Sequence, residues 1–284
     1  MHETGSTAAL REWVRGQRTL GRRIGLVPTM GFLHEGHLRL VDEARRRADA
    51  VVMSIFVNPL QFGPTEDLSR YPRDLDRDRD LAASRGVDQL FVPDTAVMYP
   101  PAAETRVVPG AAASRWEGAV RPGHFGGVLT VVAKLLNLAQ PDVAIFGRKD
   151  IQQAVLIRAM VRDLDWPIEI AVVPTVRDAD GLALSSRNVY LSAGDRAQAL
   201  GLSRSLAAAE RAWRAGERHA GRLEAVVRDG LRAYPGVAAD YIAVCEPDHM
   251  APTADAPAGT IVALAARVGS TRLIDNIVLG EEEA

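Results

Sequence analysis

Four segments of the chain carry side chains suited to phosphate or to a hydroxylated small molecule. The first is Val27–Leu38, VPTMGFLHEGHL. An apolar run ends at Met30, and Gly31 and Gly36 let the backbone approach a ligand closely. Free N–H groups at a helix start near Gly36 and His37 favour phosphate. Two imidazoles, His34 and His37, can donate to phosphate oxygens and stabilise charge on a pyrophosphate leaving group. The same residues also suit a tight strand–helix turn with two surface histidines. The second segment, FGRKDIQQ over 146–153, again leaves an apolar run and enters a helix. Lys149 can place a point charge on phosphate. Asp150 can cap the helix, hold a ribose hydroxyl or hold Mg²⁺, and Gln153 lies on the same side one turn later.

The third segment is Leu184-Ser185-Ser186-Arg187-Asn188, whose hydroxyls and guanidinium suit a loop that clamps triphosphate. An ordinary polar loop has the same composition. In the fourth, FVNPLQF over 56–62, the neutral amides of Asn58 and Gln61 suit an uncharged or hydroxylated portion of a substrate, or simple turn chemistry. Arg121, in RPGHF, adds one positive charge on a flap. Asp76, Asp78 and Asp80 alternate along a helical pattern and read first as a solvated face.

Several other chemistries are excluded. No two glycines stand two apart, so a G-x-G-x-x-G loop is absent, and no Gly-Lys pair exists to form a Walker A loop. His34 and His37 are three apart rather than four, which fails the H-E-x-x-H zinc pattern. Cys245 is the single cysteine, so neither an intrachain disulfide nor a Cys-rich zinc site can form, and a reducing cytoplasm is expected. Lys134 and Lys149 are the only lysines; every other basic side chain is arginine. A site that needs a compact, rotatable ammonium cannot take a planar guanidinium, which singles out these two positions.

These segments need a scaffold that presents strand ends. Strand-like runs at Ile24–Thr29, Ala50–Val57, Val87–Val92, Asp142–Phe146 and Ile168–Val173 alternate with helical patterns. The helical patterns are Thr7–Leu20, Gly36–Ala48, Leu75–Arg85, Val128–Ala139 and Asp150–Leu164. Strands spaced by helices predict an α/β fold with a parallel sheet, whose strand ends bind ligands. The stretch from Thr95 to Gly127 reads as loop. After Val176 the order changes to helices (Ala193–Ala215, Glu217–Tyr234) and then strands (Ala239–Cys245, Thr260–Arg267, Thr271–Val278), as in a small α+β domain. The division predicted is 1–176 and 177–284, with Glu281–Glu283 a solvated acidic end.

A chain of 284 residues can bury a full core without staples. A formal net charge of −2 argues against a nucleic-acid partner. No run of about 18 apolar residues predicts a membrane span. The opening MHETGSTAALREW has Glu3 and no apolar stretch, so a secretory signal is not expected.

Taken in order, PTMGFLHEGH, FVNPLQF, YPRDLD, RPGHFGGV, FGRKDIQQ and LALSSRN resemble the pantoate–β-alanine ligase (pantothenate synthetase) family of the HxGH nucleotidyltransferase superfamily. The resemblance is dense from Ile24 to Leu191. It implies a Rossmann-like nucleotidyltransferase domain for ATP and pantoate, and a smaller C-terminal lid domain. It implies that Met30, Gly31, Phe32, Leu33, His34, Glu35, Gly36 and His37 line ATP, together with Gly147, Arg148, Lys149, Asp150, Val176, Leu184, Ser185, Ser186 and Arg187. His37 is the family's proton donor. Gln61 and Gln153 hold pantoate, with Gln61 also near β-alanine; Asn58 and Arg121 complete the expected substrate set. Arg148 replaces the expected Glu or Gln, with its side chain expected to face out. Arg77 replaces an acidic residue found in some relatives, which leaves Mg²⁺ on the ATP phosphates and Asp78 as the one candidate ligand. A homodimer is implied by the resemblance alone.

The implied chemistry is an amide ligation in two steps. Pantoate's carboxylate attacks the α-phosphorus of ATP, and β-alanine's amine then displaces AMP. His34, His37, Lys149, Ser185, Ser186 and Arg187 are its catalytic candidates. An adenylyltransferase with a nucleotide product, and a silent ATP-binding regulator, are the alternatives the residues leave open.

Overall fold

The computed structural model describes residues 1–64 and 66–281, so Glu282 and Glu283 of the acidic end lie outside it. The chain forms two compact units. The first comprises Met1–Gly110, Arg121–Gly147 and Leu156–Val173; the second comprises Ala111–Val120, Arg148–Val155 and Pro174–Ala284.

The first unit is built on a six-stranded sheet of β1 (His2–Thr4), β2 (Ile24–Thr29), β3 (Ala50–Ile55), β4 (Gln89–Phe91), β5 (Val143–Gly147) and β6 (Glu169–Val173). The spatial order is β1-β4-β3-β2-β5-β6, and every pairing is parallel. The central strands read as unbroken apolar runs because helices cover both faces of such a sheet; all of β3 is buried. Helix Glu35–Arg47 sets Leu40, Val41 and Ala44 against Val27, Met53 and Ile145. Each large apolar side chain fully buried in this way stabilises the fold by about 1.5–3 kcal/mol.

The expected strands are present, with ends displaced by a residue or two. Two features escape the sequence pattern. β1 is a three-residue edge strand, too short to show an alternation. The helix expected from Val128 starts at His124, behind Gly123 in the left-handed conformation. The stretch 95–123 also holds short helices at Thr95–Met98 and Glu117–Val120.

The second unit carries an antiparallel sheet of β7 (Val237–Cys245), β8 (Ile261–Val268) and β9 (Thr271–Val278). Helices Ala193–Arg214 and Ala220–Leu231 cover one face, with Leu202, Leu206, Leu223 and Val227 packed against Val262, Leu264 and Leu273. On the other face Cys245 is packed among Met250, Ile261 and Val155. Burial pushes its thiol up to about 12, so no thiolate is available. Among the described residues no helix is long and apolar enough to cross a membrane.

Candidate active site

In the first unit the chain runs from β2 outward through β3 to β4, then returns to place β5 on the other side of β2. Ligands in open parallel sheets bind outside the carboxyl ends of the strands at such a reversal. Two of the expected segments begin there: Met30–His37 follows β2, and Gly147 ends β5. Gly147 has an ordinary φ, and a Cβ built on it would meet no heavy atom within 4 Å. Neither strain nor protein packing therefore requires glycine at that strand end.

The loop after β2 is held from within. Gly31 and Phe32 both have positive φ, +81° and +51°. A Cβ on Gly31 would lie 2.9 Å from Asp78 Oδ2 and from Ile55 Cγ2, so only glycine fits. The Phe32 N–H donates to Asp78 Oδ2 at 2.7 Å and the Leu33 N–H to Oδ1 at 2.6 Å. Arg77 donates to the Leu33 carbonyl at 2.8 Å. Leu33 itself is fully buried in the core cluster, where it anchors the loop. Asp78 is thus no solvated residue: it is 1% exposed, and burial raises its carboxyl above the usual range although both amides favour the charge. This corrects its reading as part of a solvated face. Each carboxylate oxygen is spent on the loop, and among the described residues no group of three His, Cys, Asp or Glu side chains could hold a metal. The residues do not fit a resident Mg²⁺ site.

His34 caps helix Glu35–Arg47, and its N–H donates to His37 Nδ1 at 3.3 Å. A neutral imidazole that accepts at Nδ1 carries its proton on Nε2, which makes His37 Nε2 a donor. The two rings lie 4.0 Å apart, so the imidazoles act from one place. Glu35 forks with Arg85 at 2.9 Å, which balances the one carboxylate in the motif.

The turn at Asn58–Gln61 lies against helix His124–Ala139, where a Cβ on Gly127 would sit 2.1 Å from the Leu60 carbonyl oxygen. Asn58 and Arg121, both expected on the substrate, are engaged with other groups of the protein. Asn58 is 1% exposed, and its amide is saturated by Leu60 N–H, Tyr99 Oη, Gly127 carbonyl and Gln61 Oε1. Arg121 forks with Glu66 at 2.8 and 2.6 Å and donates to the Gln61 carbonyl at 3.3 Å. Burial works to raise the Glu66 carboxyl, but Arg121 outweighs it and holds the group below the usual range. His124 Nδ1 donates to the same Gln61 carbonyl at 2.8 Å. Gln61 is therefore the half-buried group that all of these hold in place, with Nε2 directed to Met30 Sδ at 3.2 Å.

In the second unit, Arg148–Asp150 forms a single 3₁₀ turn. Arg148 does not face out. It is 4% exposed and pairs with Glu281 at 2.7 Å, a partner 133 positions away. Asn276 of β9 donates both amide hydrogens to this turn, to the Arg148 carbonyl at 2.9 Å and the Lys149 carbonyl at 3.0 Å. Its neighbour Asp275 forks with Arg177 at 2.7 and 3.1 Å. Held from behind, the Lys149 ammonium meets no carboxylate among the described residues. Gln152 is spent on Ala112, Arg115 and Glu117 of its own unit, whereas the half-buried Gln153 side chain makes no hydrogen bond among the described residues. Val176 and Leu184 are side by side, joined by a 2.9 Å backbone bond, and lead into Ser185, which caps the turn Ser186–Tyr190 by accepting from the Arg187 N–H at 3.3 Å. Ser186 is buried.

The sequence held faint signals of what was missed. Asp78 shares the inward face of its helix with Leu75 and Ala82, a spacing that marks a buried carboxylate. Asp275-Asn276 interrupts the apolar run that closes its strand. Nothing local marks Tyr99.

The pantoate-beta-alanine ligase family model matches residues 3–278 of the chain. A pantothenate synthetase of Moorella thermoacetica is 53% identical over 272 residues, 96% of each chain. One of Agrobacterium fabrum is 52% identical over 279 residues, covering 98% of this chain and 96% of its own. A pantothenate synthetase structure from Thermus thermophilus has a TM-score of 0.93 at 49% identity, covering 98% of this chain and 99% of that one. A pantoate-beta-alanine ligase from Francisella tularensis, complexed with beta-gamma ATP and beta-alanine, has a TM-score of 0.82 at 33% identity over 100% of both chains. The chain belongs to the pantoate–β-alanine ligase family.

Proposed function

We propose that the enzyme condenses pantoate with β-alanine at the expense of ATP, through pantoyl adenylate, with AMP and pyrophosphate as the other products. A pantoate carboxylate oxygen attacks the α-phosphorus; the new P–O bond forms as the bond to the β-phosphate bridge breaks. The neutral amine of β-alanine then attacks the activated carbonyl, a C–N bond forms, the amine loses its proton, and AMP leaves.

The single observation that carries this reading is the division of labour among polar groups. Among the described residues the Lys149 ammonium has no carboxylate partner and the Gln153 amide no hydrogen bond, while His37 carries its proton on Nε2. The groups around them are spent on holding them. The unpaired ammonium suits a triphosphate, and neutral amides suit hydroxyls and a carboxylate. His34, His37, Lys149, Ser185, Ser186 and Arg187 stabilise the charge that moves onto the phosphates, while Gln61 and Gln153 orient the acid. Met30–His37, Gly147–Asp150, Val176 and Leu184–Arg187 contact ATP, with Gly147 leaving room beside β5. No protein nucleophile is needed, in keeping with the inert Cys245. Mg²⁺ arrives on the ATP phosphates, and no step is assigned to it. The homodimer and the cytoplasmic location expected from the sequence belong to the same proposal.

Product analysis tests the reading. Turnover with all three substrates should yield AMP and pyrophosphate in equal amounts with the amide. ADP and inorganic phosphate as products would replace the adenylate with an acyl phosphate.

A further inference from the structure

Tyr99 begins a hydrogen-bonded chain that ends on Gln61. Its hydroxyl lies 2.8 Å from Asn58 Oδ1. Asn58 Nδ2 lies 3.0 Å from Gln61 Oε1 and 3.1 Å from the Gly127 carbonyl. The orientation of the Asn58 amide follows from backbone groups that cannot change roles. The Leu60 N–H must donate, so Oδ1 faces it at 3.3 Å; the Gly127 carbonyl must accept, so Nδ2 faces it. With Oδ1 fixed as acceptor, the Tyr99 hydroxyl is the donor. Burial pushes that phenol up to about 12, so it keeps its proton. With Nδ2 fixed as donor, the Gln61 atom facing it is Oε1, and Nε2 points the other way, where among the described residues it meets only the weak acceptor Met30 Sδ.

Tyr99 is itself braced. Lys134 donates to the carbonyl of the preceding Met98 and lies 5.8 Å from the centre of the Tyr99 ring, as does Arg106. Phe56 packs 6.0 Å away at a tilt. This places the second of the two lysines: it supports the residue that starts the chain.

We propose that Tyr99 is a positioning residue which, through Asn58, fixes the Gln61 amide with its N–H donors outward, so that the site selects an acid that offers an oxygen acceptor there. The inference rests on the reading that Gln61 holds the acid substrate. Without the Tyr99 hydroxyl, Asn58 keeps its backbone bonds but loses one acceptor bond, and Gln61 gains freedom to turn.

The test is steady-state kinetics of Tyr99→Phe, Gln61→Ala and the double variant, with thermal melts alongside. Tyr99→Phe should raise the pantoate KM about 3- to 10-fold, the worth of one neutral hydrogen bond. The ATP KM should stay within about twofold, because the chain reaches no phosphate group. In the Gln61→Ala background the same change should do nothing further to the pantoate KM. An unchanged pantoate KM in Tyr99→Phe, equal rises for both substrates, or a full additive effect in the double variant would overturn the proposal. An unchanged pantoate KM in Gln61→Ala would instead overturn the reading on which it rests. Should Tyr99→Phe not fold, a neutron structure of the wild-type enzyme decides the point. Deuterons on the Gln61 atom turned away from Asn58 support the proposal, and deuterons on the atom facing Asn58 overturn it.

Discussion

The two turns proposed to meet ATP are held in opposite ways. The Met30–His37 loop is fixed by Thr29, at the end of the strand before it, which accepts from the Gly31 N–H, and by Asp78 and Arg77, fewer than 50 positions on, which bind its backbone. The Arg148–Asp150 turn is fixed by residues far away, Asn276 and Glu281. In the first the polar groups are engaged with one another and with the core. In the second the Lys149 ammonium meets no carboxylate among the described residues, while its backbone is clamped. Changes to the side chains that brace the first turn should therefore appear as lost stability, and a change of the Lys149 side chain as lost chemistry in a stable protein.

The largest effect should come from Asp78→Ala. A buried N–H of Leu33 and a partly buried N–H of Phe32 lose their acceptor, at up to about 1–3 kcal/mol each, less the desolvation recovered from a carboxylate that burial disfavours. The expected outcome in thermal or urea unfolding is a clear loss of stability, with activity lost alongside as the loop opens. A variant as stable as the parent would remove the first half of the comparison.

Lys149→Arg should do the reverse. The charge stays, but a planar guanidinium replaces a compact ammonium on a clamped turn. Turnover should fall toward the roughly 10²–10³-fold loss that follows removal of one preorganised donor, with little change in melting temperature. Arg46→Lys, on an exposed helix face beside Glu43, is the matched control and should be nearly silent in both measurements. Near-normal turnover in a well-folded Lys149→Arg enzyme would show that charge alone suffices there.

A smaller effect separates Gln153 from its neighbour Gln152. Gln153→Ala leaves a substrate group unpaired, at about 1–3 kcal/mol, and should raise the pantoate requirement with stability intact. Gln152→Ala should lower stability instead, because that amide ties three backbone groups together. Calorimetry that finds ATP binding weakened as much as pantoate binding in Gln153→Ala would reassign that residue.

The same contrast explains what the sequence made legible. The parallel sheet could be read because its strands are continuous apolar runs and its helices show a 3.6-residue period. The segments at the ends of β2 and β5 could be read because glycines, histidines and a rare lysine mark a strand-to-helix turn. What could not be read were bonds between distant positions. Arg148 looks like an outward residue until Glu281 is placed beside it, and Asn58 looks like a substrate ligand until Tyr99 and Gly127 saturate its amide. Local patterns show which residue types stand at a turn, but not which of them the fold spends on support.

In the proposed ligation, activation of pantoate precedes the amine and does not need it. Isotope exchange between pyrophosphate and ATP measures this directly. With ATP and pantoate but no β-alanine, the enzyme should return labelled pyrophosphate to ATP, because pantoyl adenylate forms reversibly before the amine takes part. Exchange that requires β-alanine would contradict the account, since it would make the amine part of the first chemical step.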